Sequence, residues 1–281
     1  GVFVSANTDI ARAPVREVAR LLIERLLPDA RPTIVPVAQE PAGLARYAGT
    51  WRSNRRAYST VEKLLLGLGS DSVVSVASDG SLRVAGGEET SRWLPIGPGL
   101  FQQAEGNARM QFLDGADGLP DRYVAGSGVV VNERVAPWQT AAALFGVLAL
   151  ALLLALARIV RSFRRERRGH DPRPGLAPVK ALAIVSALAW IAFVVALGLA
   201  AVGMLSEGNA VVYTYPSKAL RITLWLSLLA AVLTSLEVLA LWPVWRGDWR
   251  AWPKLRYTLA VALMATAVGV MCSWNLVGVG T

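Results

Sequence analysis

Hydrophobic and polar positions change their rhythm three times along the chain. In the opening stretch, Val2-Phe-Val-Ser5 reads as a short strand of β-favouring residues and Asn7-Thr-Asp9 as its polar exit. Pro14 suits the first turn of a helix, and Val15, Val18, Leu22 and Leu26 then recur at spacings of three and four, which predicts one apolar helical face through Leu27. Pro28, Pro32, Pro36 and Pro41 punctuate the next stretch, so residues 32–43 read as an extended, semi-rigid linker. From 44 to 136 the period shortens to that of β-structure. Val73-Val-Ser-Val76 and Leu82-Arg-Val84 flank Asp79-Gly80, a hairpin signature, and Asp114-Gly115 with Asp117-Gly118 come after a strand at Arg109 to Leu113. The economical arrangement is a small antiparallel barrel or curled sheet, holding a small ligand or filled by its own side chains. After Pro137 the alternation vanishes. Four almost uninterrupted apolar stretches, about 138–159, 179–205, 222–244 and 255–277, each meet the roughly 20 residues needed to cross a hydrocarbon core.

Charge refines this picture. Of the 29 Lys/Arg and 20 Asp/Glu, residues 1–136 hold 15 of each, so the whole net charge of +9 lies in the apolar half. Only 17% of the chain is charged and 54% is hydrophobic, which excludes an ordinary soluble domain and a disordered chain. The basic excess sits in two short loops between apolar stretches: Arg161, Arg164, Arg165, Arg167 and Arg168 after the first, and Arg246, Arg250, Lys254 and Arg256 after the third. A nucleic-acid surface needs a basic patch interleaved with aromatics on a soluble face, so the expected partner is membrane lipid and not nucleic acid. The positive-inside bias places both loops in the cytoplasm, with the N-terminal half and the C-terminus outside. Arg161, Arg164, Arg165, Arg167 and Arg168 are then topology-setting residues, with a capacity to hold anionic lipid. One cysteine, Cys272, and one histidine, His170, leave no thiolate or histidine cluster for a metal, and no cofactor is expected.

Several strings carry a resemblance. Gly1-Val-Phe-Val-Ser-Ala-Asn-Thr-Asp9 and its helix are similar to the closing strand and C-terminal helix of the penicillin-binding, β-lactamase-like serine hydrolases. Tyr47-Ala-Gly-Thr-Trp51-Arg-Ser-Asn-Arg55-Arg56 and Thr60-Val-Glu-Lys63-Leu resemble the start of the small β domain that comes after the hydrolase in a membrane-anchored bacterial branch. Arg92-Trp-Leu-Pro-Ile-Gly-Pro-Gly-Leu-Phe101 and Ser273-Trp-Asn-Leu-Val-Gly resemble later stretches of that branch. The resemblance implies four parts: a strand-helix remnant of an α/β hydrolase domain (1–31), the linker (32–43), an extracytoplasmic, barrel-like antiparallel β domain (44–136) and a four-helix transmembrane domain (137–281). It also implies a parent that hydrolyses amide or ester bonds through an acylated serine, on peptidoglycan, D-peptide or β-lactam-like substrates, and a place in the bacterial cytoplasmic membrane. The partner it implies is an upstream serine hydrolase domain of the same parent chain.

The residues such chemistry needs are not in this sequence. Ser-x-x-Lys, Tyr-x-Asn and Lys-Thr-Gly do not occur, His170 is followed by Asp171-Pro172, and Thr60-Val-Glu-Lys63 has the wrong nucleophile. No catalytic residue is assigned, and the chain alone is expected to be inactive. One position stands out as chemistry: Glu237, a carboxylate inside the third apolar stretch, where ionisable groups are costly and mark functional candidates. The expectation is that it faces a neighbouring helix, neutral or hydrogen-bonded through Ser235 or Thr234. A second function class stays open beside the hydrolase accessory: a membrane sensor or transporter with an exported ligand-binding β domain.

Overall fold

In the computed structural model the described residues are 35–37, 39–67, 70–86, 89–126, 128–166, 177–207, 216–247 and 250–278, with isolated positions before residue 35. The strand and helix expected over 1–31 thus fall almost entirely outside the described residues. The chain divides into two compact units. One contains the described residues up to Arg55 with Asp71–Arg134, and the other contains Arg56–Ser70 with the chain from Val135 onward.

The first unit is a closed antiparallel barrel of eight strands in sequential order. They are β1 (Gly49–Ser53), β2 (Asp71–Val76), β3 (Leu82–Gly86), β4 (Glu89–Gly97), β5 (Leu100–Gln103), β6 (Arg109–Asp114), β7 (Pro120–Ala125) and β8 (Val131–Arg134). Closure comes from β1 pairing with β8 as well as with β2, with Trp51 opposite Arg134. The predicted turns recur: Asp79-Gly80 joins β2 to β3, and Gly80 takes φ +74°, a left-handed value that a side chain resists. The barrel reaches back into the Pro-rich stretch. Pro41 opens a helical turn, α1 (Pro41–Leu44), Leu44 is fully buried in the barrel core, and the Val37 amide donates to the Pro95 carbonyl at 2.9 Å.

The second unit holds a short helix, α2 (Glu62–Gly67), and four long ones: α3 (Ala141–Glu166), α4 (Ala177–Glu207), α5 (Lys218–Arg246) and α6 (Ala251–Ser273). Each long helix is long and apolar enough to cross a membrane, so the chain is a multi-pass membrane protein. Leucine, valine and tryptophan crowd the exposed faces, as in Leu153, Leu199, Leu239 and Trp242, while Ser186, Thr223, Ser227, Thr234 and Glu237 are buried. That inversion suits lipid as solvent. Helices α3 and α5 each pack on α4 and α6. The ten residues between α4 and α5 reach at most about 35 Å, less than the roughly 43 Å of α5, so these neighbours run antiparallel. The bundle is up-and-down, and the end where α3 begins is called the near end. Small residues at the contacts, Ala151, Ala155, Ala187, Ala230 and Ala267, let the backbones approach closely.

The helix ends differ from the apolar limits by a few residues for identifiable reasons. Pro137–Gln139 forms a 3₁₀ turn, after which Thr140 Oγ1 accepts from the Ala143 amide and caps α3. Ser217 caps α5 by accepting from the Leu220 amide. Helix α6 stops at Ser273 and not near 277, because Asn275 adopts φ 54° and the Leu276 and Asn275 amides fold back onto the Met271 and Cys272 carbonyls. Polar ends extend the other helices past their apolar cores, since inside the helix every backbone group keeps a partner.

The excursion between β1 and β2 belongs to the helical unit. Val61 and Leu64 sit in one apolar cluster with Trp274 and Leu276 beyond the end of α6. Asn275 Nδ2 donates to the carbonyls of Tyr58 (2.8 Å) and Thr60 (3.1 Å), and Lys63 Nζ donates to the Ser273 carbonyl (2.6 Å). The strings Thr60-Val-Glu-Lys63 and Ser273-Trp-Asn-Leu, far apart in sequence, therefore meet in space.

Candidate functional site

Buried positions along α5 recur every three or four residues, through Leu220, Thr223, Leu224, Ser227, Ala230, Thr234 and Glu237, so one face of the helix points into the bundle. Glu237 lies on that face, and its side chain is 0% exposed. Its partner comes from α3: Arg158 Nη1 stands 2.7 Å from Glu237 Oε1, with the arginine side chain 12% exposed. Because α3 and α5 are diagonal in the bundle, the pair spans its interior. Glu237 thus faces a neighbouring helix as expected, but its partner is Arg158 and not Ser235 or Thr234. Thr234 Oγ1 instead donates to the Ala230 carbonyl (2.8 Å) and accepts from Trp190 Nε1 of α4 (3.0 Å), while Ser235 Oγ donates to the Ala231 carbonyl (3.0 Å). A hydroxyl can share a hydrogen bond with a carboxylate but cannot balance its charge, whereas a guanidinium does both.

From α6, Tyr257 donates its hydroxyl to the Glu237 carbonyl at 3.4 Å, and its ring centroid lies 6.0 Å from the Arg158 guanidinium. All four long helices thus contribute a polar or aromatic group at one region of the interior. Arg158, Trp190 and Tyr257 are the members that sequence reasoning missed. A signal existed for Arg158, the single charge among the apolar residues 141–160, since a lone charge in a span needs a partner in another.

The contact between Arg158 and Glu237 is one-pronged. Arg158 Nη2 and Glu237 Oε2 are buried and have no hydrogen-bond partner among the described residues, and the same holds for Ser186 Oγ. This arrangement of donor, acceptor and hydroxyl can hold a charge-balanced polar group, and it contains no nucleophile activated by a base.

The remaining sequence candidates sit elsewhere. Arg161 and Arg164 are exposed on the last turns of α3, Arg165 is in the same helix, and Arg167 and Arg168 lie outside the described residues, as does His170. Cys272 is exposed near the end of α6.

The barrel interior is occupied by its own side chains. Tyr47, Trp51, Phe101, Phe112 and Tyr123 form a chain of ring contacts with centroids 4.6 to 5.6 Å apart, and Leu44, Leu82 and Met110 are buried in the same cluster. Burial pushes the Tyr123 phenol above its usual range, so it stays protonated and shares a 2.8 Å hydrogen bond with Ser72 Oγ. Outside the core, Arg52 grips Asp71 across the β1–β2 pair (Nη2 to Oδ2, 2.7 Å), and the Arg134 guanidinium covers the Trp51 ring at 4.7 Å.

A scan against protein-family models finds no match, and a search of curated proteins finds no relative.

Proposed function

We propose that this chain is the accessory and membrane-anchoring C-terminal region of a β-lactamase-like serine hydrolase. In this reading the upstream domain carries the acylable serine, the barrel is a rigid module outside the cytoplasmic membrane, and the four helices hold the assembly there. The observation that supports it best is the filled barrel: a closed barrel packed with Trp51, Phe101, Phe112 and Tyr123 suits a structural module better than a ligand receptor. The meeting of Thr60-Val-Glu-Lys63 with Ser273-Trp-Asn-Leu supports it too, since two strings that carry the resemblance serve one structural joint. A fluorophosphonate or penicillin probe on the full-length native protein is the test. Covalent labelling of a serine upstream of Gly1, with none in the present chain, is the expected result. Labelling within residues 1–281, or an upstream region without a reactive serine, overturns it.

A second reading, a membrane sensor or transporter, draws on one observation, the buried Arg158–Glu237 pair. It predicts a measurable flux across proteoliposomes that Glu237→Gln abolishes while the fold is kept.

A further inference from the structure

Helix geometry puts the three orphan polar atoms at similar depths. The bond from Trp190 to Thr234 sets the register between α4 and α5. These helices run antiparallel, so four residues back along α4 to Ser186 and three residues on along α5 to Glu237 move about 6 Å and 4.5 Å in the same direction, away from the near end. Arg158 reaches that level from α3, as its bond to Glu237 requires. Next to them on the near-end side lie apolar side chains: Trp190, Phe193, Ala230 and Met264 are all fully buried.

The chemistry of the three atoms selects the occupant. Arg158 Nη2 can only donate, Glu237 Oε2 accepts, and the Ser186 hydroxyl does either. An anion meets the Glu237 carboxylate and a cation meets the Arg158 guanidinium, so a neutral molecule that both donates and accepts is the one that fits. Water is the smallest such molecule, and buried water typically takes about three hydrogen bonds from groups of this kind. We propose that the bundle interior contains an internal water site built by Arg158, Ser186 and Glu237 and bounded toward the near end by Trp190 and Phe193. This does not depend on the hydrolase reading and is equally compatible with its failure.

The test is a water-edited solid-state NMR spectrum of the isotope-labelled full chain in lipid nanodiscs, which tracks magnetisation passing from water protons to individual carbons. Transfer to Arg158 Cζ, Glu237 Cδ and Ser186 Cβ is expected to build up several-fold faster than transfer to the Phe193 ring. The double variant Arg158→Met, Glu237→Met, which removes both charges together, is expected to slow transfer to Ser186 to the Phe193 rate. Build-up at Arg158 and Glu237 as slow as at Phe193, or arriving from lipid headgroup protons, overturns the proposal. So does a folded double variant whose Ser186 still exchanges magnetisation with water. If that variant does not fold, the unmodified chain decides the question alone.

Discussion

Arg158 and Glu237 behave as a unit because neither is tolerable in the interior alone. Removing one partner of a buried pair leaves an uncompensated charge, at a cost of about 3–5 kcal/mol, whereas replacing both with apolar groups of similar size is often neutral. Glu237→Leu alone and Arg158→Met alone are each expected to destabilise the bundle by about that amount, and the double variant to recover most of the loss. A double-mutant cycle by thermal unfolding in detergent checks this, and strictly additive losses would contradict the pairing. Asp79, in the barrel, shows an exposed counterpart. The Ser81 hydroxyl, then the Ser81 amide and the Arg92 guanidinium, hold its carboxyl below the ordinary aspartate range. A depressed folded value means that the turn is supported above about pH 4 and loses that support as pH falls through the folded value. Chemical shifts of Asp79 and Ser81 measured by NMR are expected to titrate below about pH 4, and Ser81→Ala to move the midpoint upward. At this scale Glu237 was legible because one acid in an apolar run is conspicuous. Its partner was not, because Arg158 stands close to the basic cluster that begins at Arg161 and reads as part of the topology signal.

At the scale of elements, the joint between the β1–β2 excursion and the end of α6 depends on Asn275 twice. Its backbone occupies the left-handed region, where asparagine is tolerated and alanine costs about 1–2 kcal/mol, and its side chain serves two carbonyls. Asn275→Ala is expected to speed amide hydrogen exchange of residues 61–67 by about tenfold or more, since loss of about 1.4 kcal/mol is tenfold, while the barrel strands are unaffected. Asn275→Gly separates the two roles, for it keeps the backbone conformation and loses only the side-chain bonds. If Asn275→Gly matches the unmodified chain, the hydrogen bonds to Tyr58 and Thr60 contribute nothing. The hairpins at Asp79-Gly80 and after Asp114 were readable, because turn chemistry and period-two alternation are local. The helical excursion was not, since it is short and the apolar surface that buries Val61 and Leu64 comes from Trp274 and Leu276, far away in sequence.

For the whole molecule, the proposed topology predicts sidedness. In a Cys272→Ala background, Arg164→Cys is expected to resist a membrane-impermeant thiol reagent in intact cells and to react in inverted vesicles. A cysteine in place of Ser273 is expected to do the opposite. Reaction of Arg164→Cys from outside intact cells would reverse the orientation and remove the barrel from the extracytoplasmic side.

The division between chain and fold tracks the range of the forces involved. Four membrane spans and a run of short strands were set by residues acting singly or with near neighbours, because transfer to lipid sums over a contiguous stretch and a turn is a matter of four residues. Which charge neutralises Glu237, how β1 finds β8, and which side chains fill the barrel interior were decided only by tertiary structure. Each depends on side chains distant in sequence being brought within a few ångströms, and no local pattern encodes that distance: Arg158 meets Glu237 across the bundle diagonal, and Trp51 meets Arg134 only where the barrel closes.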